Sequence, residues 1–181
     1  MQYNPPRYIQ EWTSPMTKNS PETVTHTFQP ISNKHSRILI LGTMPSVQSR
    51  RADFYYSHPR NRFWQVLAKC FNQPLPQSIA EKEKFLHQNN IALWDVLAAC
   101  EITGSDDSSI RKPVYNDIAA FVAGKPITKI ICNGKKAYSL CQNLDLPIPV
   151  FYAPSTSPAN AAWSLERLAE AWKPELIYNA K

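Results

Sequence analysis

The sequence contains the run Ile38-Leu39-Ile40-Leu41-Gly42, in which four aliphatic residues are followed by a glycine. A short and wholly apolar run is typical of a strand that is buried on both faces, as in the centre of a parallel sheet. Gly42 marks the point where the chain can turn. We therefore predict a central strand here, and a ligand site is most easily built in the loop that follows it.

Three further short apolar runs follow, at residues 91–94, 130–132 and 148–152, and helix-like segments separate them. This alternation predicts an α/β fold, a three-layer α/β/α architecture with a short, mostly parallel central sheet of about four strands. Pro149 lies in the last run, which indicates a strand that lies at an edge or begins irregularly.

The segments between the runs carry helix signals. Apolar residues form one stripe over residues 63–71, and Ser78 begins a capping box. We also expect Asn116 to cap a helix that stops at Gly124, and Ser157-Pro158 to begin the last helix.

The chain of 181 residues suits one compact domain. Residues 1–30 are rich in proline and in small polar residues, which predicts an irregular or flexible N-terminal segment. We expect a single domain over residues 31–181.

Composition narrows the function classes. The net charge of +6 favours a polyanionic partner, although charge alone is a weak signal. The four cysteines form no C-x-x-C pair and no glycine-rich nucleotide motif occurs, so we expect neither a metal nor a cofactor. No apolar stretch is long enough to span a membrane, and we expect a monomeric protein of the bacterial cytosol or nucleoid.

The loop after the first predicted strand combines cations with aromatic rings. Between residues 42 and 62 it holds four arginines, one aspartate and two tyrosines. Nucleic-acid sites use this mixture of phosphate-binding and stacking groups. The alternative is a turn whose aromatic residues cover the edge of the sheet.

Two other loops carry polar groups after predicted strands. Ser155, Thr156 and Ser157 are expected to run directly into a helix N-terminus, where hydroxyls and free amides suit a phosphate. Ser157 could equally serve as an ordinary helix cap. Asn133-Gly134-Lys135-Lys136 offers two cations at the start of another helix.

Four segments resemble motifs of one enzyme family. Gly42-Thr43-Met44-Pro45-Ser46 looks like the first motif of uracil-DNA glycosylases, and Ala153-Pro154-Ser155-Thr156-Ser157-Pro158 resembles their second motif. His58-Pro59-Arg60-Asn61-Arg62-Phe63-Trp64 and Gly134-Lys135-Lys136-Ala137-Tyr138 are similar to elements of the mismatch-specific uracil-DNA glycosylases. The resemblance covers about residues 28–172, and it predicts a member of the uracil-DNA glycosylase superfamily.

Two departures refine this resemblance. Met44 stands where most of the superfamily has the polar residue that orients the attacking water, and Ala153 stands where His or Asn is frequent. The sequence looks most like the hypoxanthine-DNA glycosylase branch. This implies removal of deaminated adenine from DNA by water attack, with Asn61 as the catalytic residue. Asn61 would accept a hydrogen bond from the water; alternatively, it caps the following helix.

The resemblance also implies roles for the base pocket. Tyr56 is the candidate for stacking on the extruded base, with Tyr55 as the alternative and a core tyrosine as the structural explanation. Backbone amides of Thr43 and Met44 would line the pocket, and Trp94 and Asp95 would read the base edge. Asp95 could instead cap a helix.

The remaining predicted residues would contact DNA. The phosphate-binding candidates are Arg60, Arg62, Lys135, Ser155, Thr156 and Ser157. Asn160 or a neighbouring residue would fill the gap left by the flipped base. Binding should then fall steeply with salt.

Two other functions stay open at this level. The His58–Trp64 element also fits a uracil or thymine mismatch glycosylase. The absence of a polar residue at Met44 fits a noncatalytic module that binds or senses damaged DNA.

Overall fold

The computed structural model describes residues 21–177 and has a mixed α/β fold. Its central sheet consists of the strands β2 (Ile38–Gly42), β3 (Ile91–Asp95), β6 (Lys129–Asn133) and β7 (Val150–Ala153). The sheet is parallel and has the strand order β3-β2-β6-β7. The predicted four-stranded parallel sheet is therefore confirmed, and the strand that follows Pro149 lies at its edge.

The central position of β2 follows from its composition. All five of its residues are buried, and side chains alternate between the two faces of the sheet. Ile38 and Ile40 enter one hydrophobic cluster, whereas Leu39 and Leu41 enter the other. Burying an aliphatic side chain contributes about 1.5–3 kcal/mol, so this strand anchors both halves of the core.

Three helices cover the first face of the sheet. They are α2 (Phe63–Phe71), α3 (Ile79–Gln88) and α6 (Leu165–Leu176), and the apolar stripe predicted over residues 63–71 is buried in their shared core. Ser78 forms the predicted capping box with Glu81. Trp172 of α6 is fully buried and donates from Nε1 to the carbonyl oxygen of Pro154.

The other face carries α4 (Ile118–Val122), α5 (Lys135–Cys141) and a second sheet. The strands of this second sheet are β1 (Glu22–Thr25), β4 (Leu97–Ile102) and β5 (Arg111–Tyr115). The sheet is antiparallel with the order β1-β4-β5, and the sequence analysis did not predict it.

Strand β1 corrects the expectation that residues 1–30 are irregular. Residues 22–25 pair with β4, and Val24 is buried among the apolar residues of this layer. The β-branched residues Thr23, Val24 and Thr25 suit a strand. Their backbone pairs with β4 and so covers an edge of β4 that would otherwise be open. Residues 1–20 lie outside the part of the chain that the structure describes.

Two predicted helix starts were wrong. Asp117, not Asn116, caps α4 by accepting from the backbone N–H of Ala120, because the amide of Asn116 donates to the carbonyl oxygen of Asp95. The last helix begins at Leu165 with Ser164 as its cap, not at Ser157-Pro158. Residues 157–163 form a loop, whose contacts with Arg62 are described below.

Two smaller features complete the fold. A short helix α1 (Val47–Ala52) follows β2 inside the arginine-rich loop, and Ser46 caps it. None of the helices within residues 21–177 is long and apolar enough to cross a membrane.

Replacing Leu67 with alanine tests the assignment of α2 to the core. Leu67 is fully buried, so Leu67→Ala should lower the free energy of unfolding by about 2–5 kcal/mol through lost burial and the cavity left behind. Leu75→Ala is the matched control, because Leu75 is 39% exposed and its loss should cost no more than about 0.5 kcal/mol. Urea unfolding measures both, and equal losses would contradict the packing described here.

Candidate active site

A cavity of about 1100 Å³ opens at the carboxyl ends of the parallel strands. It is lined by residues at and just after the ends of the four strands: residues 42–49 for β2, Asp95 for β3, Asn133 and Lys135 for β6, and residues 155–160 for β7. Several residues between Tyr55 and Asn61 complete the wall. The loops that follow the strands therefore meet at one place, as expected for an open parallel sheet.

Gly42 forms the floor of the cavity. The strand register pairs it with Asp95, and a Cβ atom at Gly42 would collide with Asp95 Oδ1 and lie 2.8 Å from Tyr56 Oη. No larger residue fits without displacing both side chains. The glycine is therefore needed for close approach, which brings a carboxylate and a hydroxyl to the end of the central strand.

Asp95 lies at this floor, but Trp94 does not. Asp95 is 3% exposed and its Oδ2 lies 2.8 Å from His26 Nε2. The ring of Trp94 packs against Phe121, with centroids 5.1 Å apart, and does not line the cavity. The prediction that both residues read a base is wrong for Trp94, because consecutive residues of a strand point to opposite faces.

Tyr56 presents an aromatic ring inside the cavity. Its ring stacks on Phe63 at 3.9 Å and 18°, so Phe63 covers one of its two faces. Burial and the nearby Asp95 raise the pKa of Tyr56, which keeps its hydroxyl protonated. Oη is buried and has no hydrogen-bond partner among the described residues. Tyr55, the alternative stacking residue, is buried and donates to the carbonyl oxygen of Gln29.

Asn61 belongs to a chain of hydrogen bonds that joins three loops. Asn133 Nδ2 donates to Thr156 Oγ1 at 2.9 Å, and Thr156 Oγ1 donates to Asn61 Oδ1 at 3.0 Å. The backbone N–H of Thr156 returns a bond to Asn133 Oδ1 at 3.0 Å. Each donor in the chain has a defined acceptor, which fixes the side chains against one another.

Asn61 also binds the start of the following helix, although Arg62 and not Asn61 occupies the N-cap position of α2. Its Oδ1 accepts from the backbone N–H of Phe63 at 3.0 Å, in addition to Thr156. Since an N–H needs an acceptor, this bond fixes which amide atom is the oxygen. The expected bond from water to Oδ1 is therefore replaced by two protein bonds. Nδ2 is the polar atom of Asn61 that has no partner among residues 21–177.

The expected contact between Thr156 and a phosphate is wrong. Thr156 is completely buried, and its hydroxyl and N–H are used by Asn61 and Asn133. Ser155 and Ser157 line the cavity and are only half-buried. The helix dipole expected behind them is absent at this place, because α6 begins only at Leu165.

The sequence suggested that Arg62 binds a phosphate, but its guanidinium is not free to do so. Its guanidinium donates to the carbonyl oxygens of Ser157 at 2.8 Å and Asn160 at 2.9 Å, and to that of Trp163. Carbonyl groups of a tight loop need donors, and Arg62 supplies them from the start of α2. We call residues 157–163 with these bonds the Arg62-anchored loop.

The remaining DNA-contact candidates lie at the rim. Arg60 and Lys135 are exposed, line the cavity and form no salt bridge with the described residues. Asn160 also lines the cavity, but its Nδ2 donates to the carbonyl oxygen of Ser155 at 2.8 Å. Its side chain is thus held inside the loop, while the neighbouring Ala159 is exposed.

The first-motif residues Thr43 and Met44 line the cavity, and Thr43 has a partner that the sequence did not indicate. Met44 is half-buried and lines the cavity, so a thioether replaces the polar group that the family usually has there. Thr43 is buried and donates from Oγ1 to Asp107 Oδ2 at 3.1 Å. Burial raises the pKa of Asp107, and the bond from Thr43 and the charge of Lys136 partly oppose this.

Sequence reasoning missed two site residues, Asp107 and His26. Asp107 begins a 3-10 helix after a turn, where aspartate usually has only a capping role. His26 lies in the segment expected to be irregular. Within residues 21–177 no group of three or more His, Cys, Asp or Glu side chains could hold a metal ion.

The hydroxyl of Thr156 should stabilise the folded protein. Thr156→Val keeps the shape but leaves Asn133 Nδ2 without an acceptor, so the free energy of unfolding should fall by about 1–3 kcal/mol. Thr156→Ser keeps the hydroxyl and should cost about 0.8 kcal/mol for the lost methyl group. Thermal and urea unfolding compare the two, and a valine variant as stable as the wild type would refute the hydrogen-bond chain.

Comparison with known proteins gives a consistent result. The family model of the uracil DNA glycosylase superfamily matches residues 29–175. A hypoxanthine DNA glycosylase of Methanosarcina acetivorans is 35% identical over 148 residues, covering 79% of this chain and 92% of that protein. A hypoxanthine DNA glycosylase of Methanosarcina barkeri is 35% identical over 113 residues, or 61% of this chain and 71% of that protein.

A solved structure shares the fold. It is the solution NMR structure of a protein from Methanosarcina acetivorans that is described as a candidate uracil DNA glycosylase. The two chains are 31% identical with a TM-score of 0.73, and the match covers 86% of this chain and 97% of the other. The family match spans the parallel sheet and the loops around the cavity, and on this evidence the chain belongs to the uracil-DNA glycosylase superfamily.

Proposed function

We propose that this protein is a monofunctional DNA glycosylase that releases hypoxanthine from DNA and leaves an abasic site. Superfamily membership and the two hypoxanthine DNA glycosylases at 35% identity support the reaction class and the base. The observation that carries the proposal is the carboxylate of Asp95 at the Gly42 floor, beside a ring that can stack on a base.

The cavity suits a nucleotide that has left the double helix. Extruding a nucleotide costs a few kcal/mol, which contacts in the pocket must offset. The face of Tyr56 opposite Phe63 supplies a stacking surface, and stacking of a base on an aromatic ring contributes roughly 1–3 kcal/mol. Because Phe63 already holds the ring, little side-chain freedom is lost when the base arrives.

Asp95 distinguishes hypoxanthine from adenine by hydrogen bonding. Hypoxanthine carries a hydrogen on N1, which can donate to Asp95 Oδ1, whereas adenine has a lone pair there. A carboxylate only accepts hydrogen bonds, so adenine would place two acceptors against each other. A site built around a buried hydrogen bond strongly rejects an analogue that cannot form that bond. This contact therefore prevents the enzyme from removing adenine, the normal base.

The reaction breaks the C1′–N9 bond, and its electron pair leaves with the base. Positive charge develops on the sugar, the oxygen of a water molecule bonds to C1′, and the proton that the water loses ends on the base. Asn61 Nδ2 donates to one lone pair of the water and leaves the other to attack C1′. This role replaces the polar residue that the family usually has at the position of Met44.

A panel of labelled duplexes tests the proposal. Duplexes carrying inosine, uracil, xanthine or a G·T mismatch are incubated with the protein, and alkali then cleaves the abasic sites. Inosine should react fastest. Uracil is the second candidate, because its N3–H could also donate to Asp95. Faster release of uracil or mismatched thymine would favour that alternative, and binding without release of any base would identify a noncatalytic module.

Asn61→Asp separates catalysis from the structural hydrogen bonds of the Asn61 side chain. Aspartate keeps an oxygen for the N–H of Phe63 and for Thr156 but lacks the Nδ2 donor, so kcat on inosine should fall on the order of 100-fold with the melting temperature little changed. Asn143→Ala, at an exposed asparagine outside the cavity, is the control. An aspartate variant as active as the wild type would refute the role of Nδ2, whereas an inactive wild type would refute the function itself.

The cations at the rim should set the salt dependence of DNA binding. Arg60→Ala and Lys135→Ala should each weaken binding to any sequence and reduce the slope of log K against log salt by about 1. Lys84→Ala, on α3 and outside the cavity, should leave the slope unchanged. Fluorescence anisotropy over a salt series measures the slopes. An unchanged slope in both rim variants would place the DNA elsewhere.

A further inference from the structure

His26 reaches the floor of the cavity from the second sheet. It follows β1 directly, its side chain is 1% exposed, and its Nε2 lies 2.8 Å from Asp95 Oδ2. It also lies before residues 29–175, the range that the family model matches. The contact thus joins the base pocket to a strand outside the matched region.

Hydrogen bonds determine the tautomer of His26. The backbone N–H of Phe28 donates to Nδ1 at 3.1 Å, so Nδ1 uses its lone pair and carries no hydrogen. The ring hydrogen is therefore on Nε2, which donates to Asp95 Oδ2. His26 is therefore a donor with a defined direction.

The surroundings of His26 hold its ring in this orientation. The backbone N–H of His26 donates to the carbonyl oxygen of Ala98 at 2.7 Å. The rings of Phe28 and Tyr55 pack against the imidazole, with centroids 5.3 and 6.0 Å away. The imidazole cannot rotate without breaking the bond to Phe28 and this aromatic packing.

The bond from His26 also determines what Asp95 presents to the cavity. With Oδ2 accepting from His26, Oδ1 is left at the Gly42 floor, where none of the described residues donates to it. Tyr56 Oη lies at the same floor and is a buried hydroxyl without a partner among residues 21–177. A buried hydroxyl and a neighbouring carboxylate oxygen, neither with a hydrogen-bond partner among residues 21–177, indicate a polar occupant at this end of the cavity.

We propose that His26 is a positioning residue that fixes the carboxylate of Asp95, so that Oδ1 meets the N–H edge of the flipped base. This inference rests on the proposed glycosylase function. The segment directly after β1 thereby takes part in base recognition, because His26 holds Asp95 while Asp95 contacts the base. His26 itself touches no substrate.

Two substitutions each keep one of the two side-chain hydrogen bonds of His26 and remove the other. His26→Gln places an amide N–H near the position of Nε2, so it can still donate to Asp95 but loses the acceptor for Phe28. His26→Asn places an amide oxygen near the position of Nδ1, so it keeps the acceptor for Phe28 and loses the donor to Asp95. His35→Asn, at an exposed histidine, is the control for the substitution.

Steady-state kinetics on an inosine duplex measures the effect. The glutamine variant should retain most of the wild-type kcat/KM, and the asparagine variant should lose on the order of 100-fold, as expected when a contact group is misplaced. Melting temperatures are measured alongside, because a purely structural histidine would make kcat/KM follow stability. Equal kcat/KM for the two variants, or activity that follows the melting temperature, would overturn the proposal.

A double-mutant cycle tests whether His26 acts through Asp95. On an Asp95→Ala background, His26→Asn should no longer change kcat/KM, because the group that it positions is gone. Additive losses would show that His26 acts by another route and would overturn the proposal. An inactive wild type would instead refute the glycosylase function, so the two failures can be distinguished.

Discussion

The absence of a side chain at Gly42 is the constraint on which the site depends. Gly42 ends the most deeply buried strand of the sheet, between β3 and β6, and only hydrogen occupies the place of its Cβ. Asp95 and Tyr56 can therefore approach the backbone of the central strand. The same strand supports both halves of the core, so the position of this floor is as rigid as the fold itself.

The polar residues around this floor are fixed from outside the cavity. Asn61 is tied to Thr156 and Asn133, and Asp95 is tied to His26. Each of these hydrogen bonds uses one atom of the functional side chain and leaves another without a partner among residues 21–177. The atoms left over belong to residues that line the cavity, where an occupant can bind to them. The arrangement favours a ligand with both donors and acceptors.

The parallel sheet could be predicted because a strand buried on both faces has a distinctive aliphatic composition. The second sheet could not, since β5 contains Lys112 and Pro113 and β1 pairs with residues more than seventy positions away. The hydrogen-bond partners of individual side chains could not be predicted from the sequence either. Arg60 and Arg62 look alike in the sequence, but packing leaves one exposed and turns the other onto loop carbonyls. Strand alternation could have excluded Trp94 from the cavity.

The Arg62-anchored loop has a consequence for how the protein meets DNA. Since a side chain from the start of α2 binds three carbonyl oxygens of the loop, the loop shape is set when the chain folds. Little conformational entropy then remains to be lost at the rim on association. A rim whose shape is already set can contact intact duplex without first refolding, so what remains to be overcome at a damaged site is the extrusion of the base.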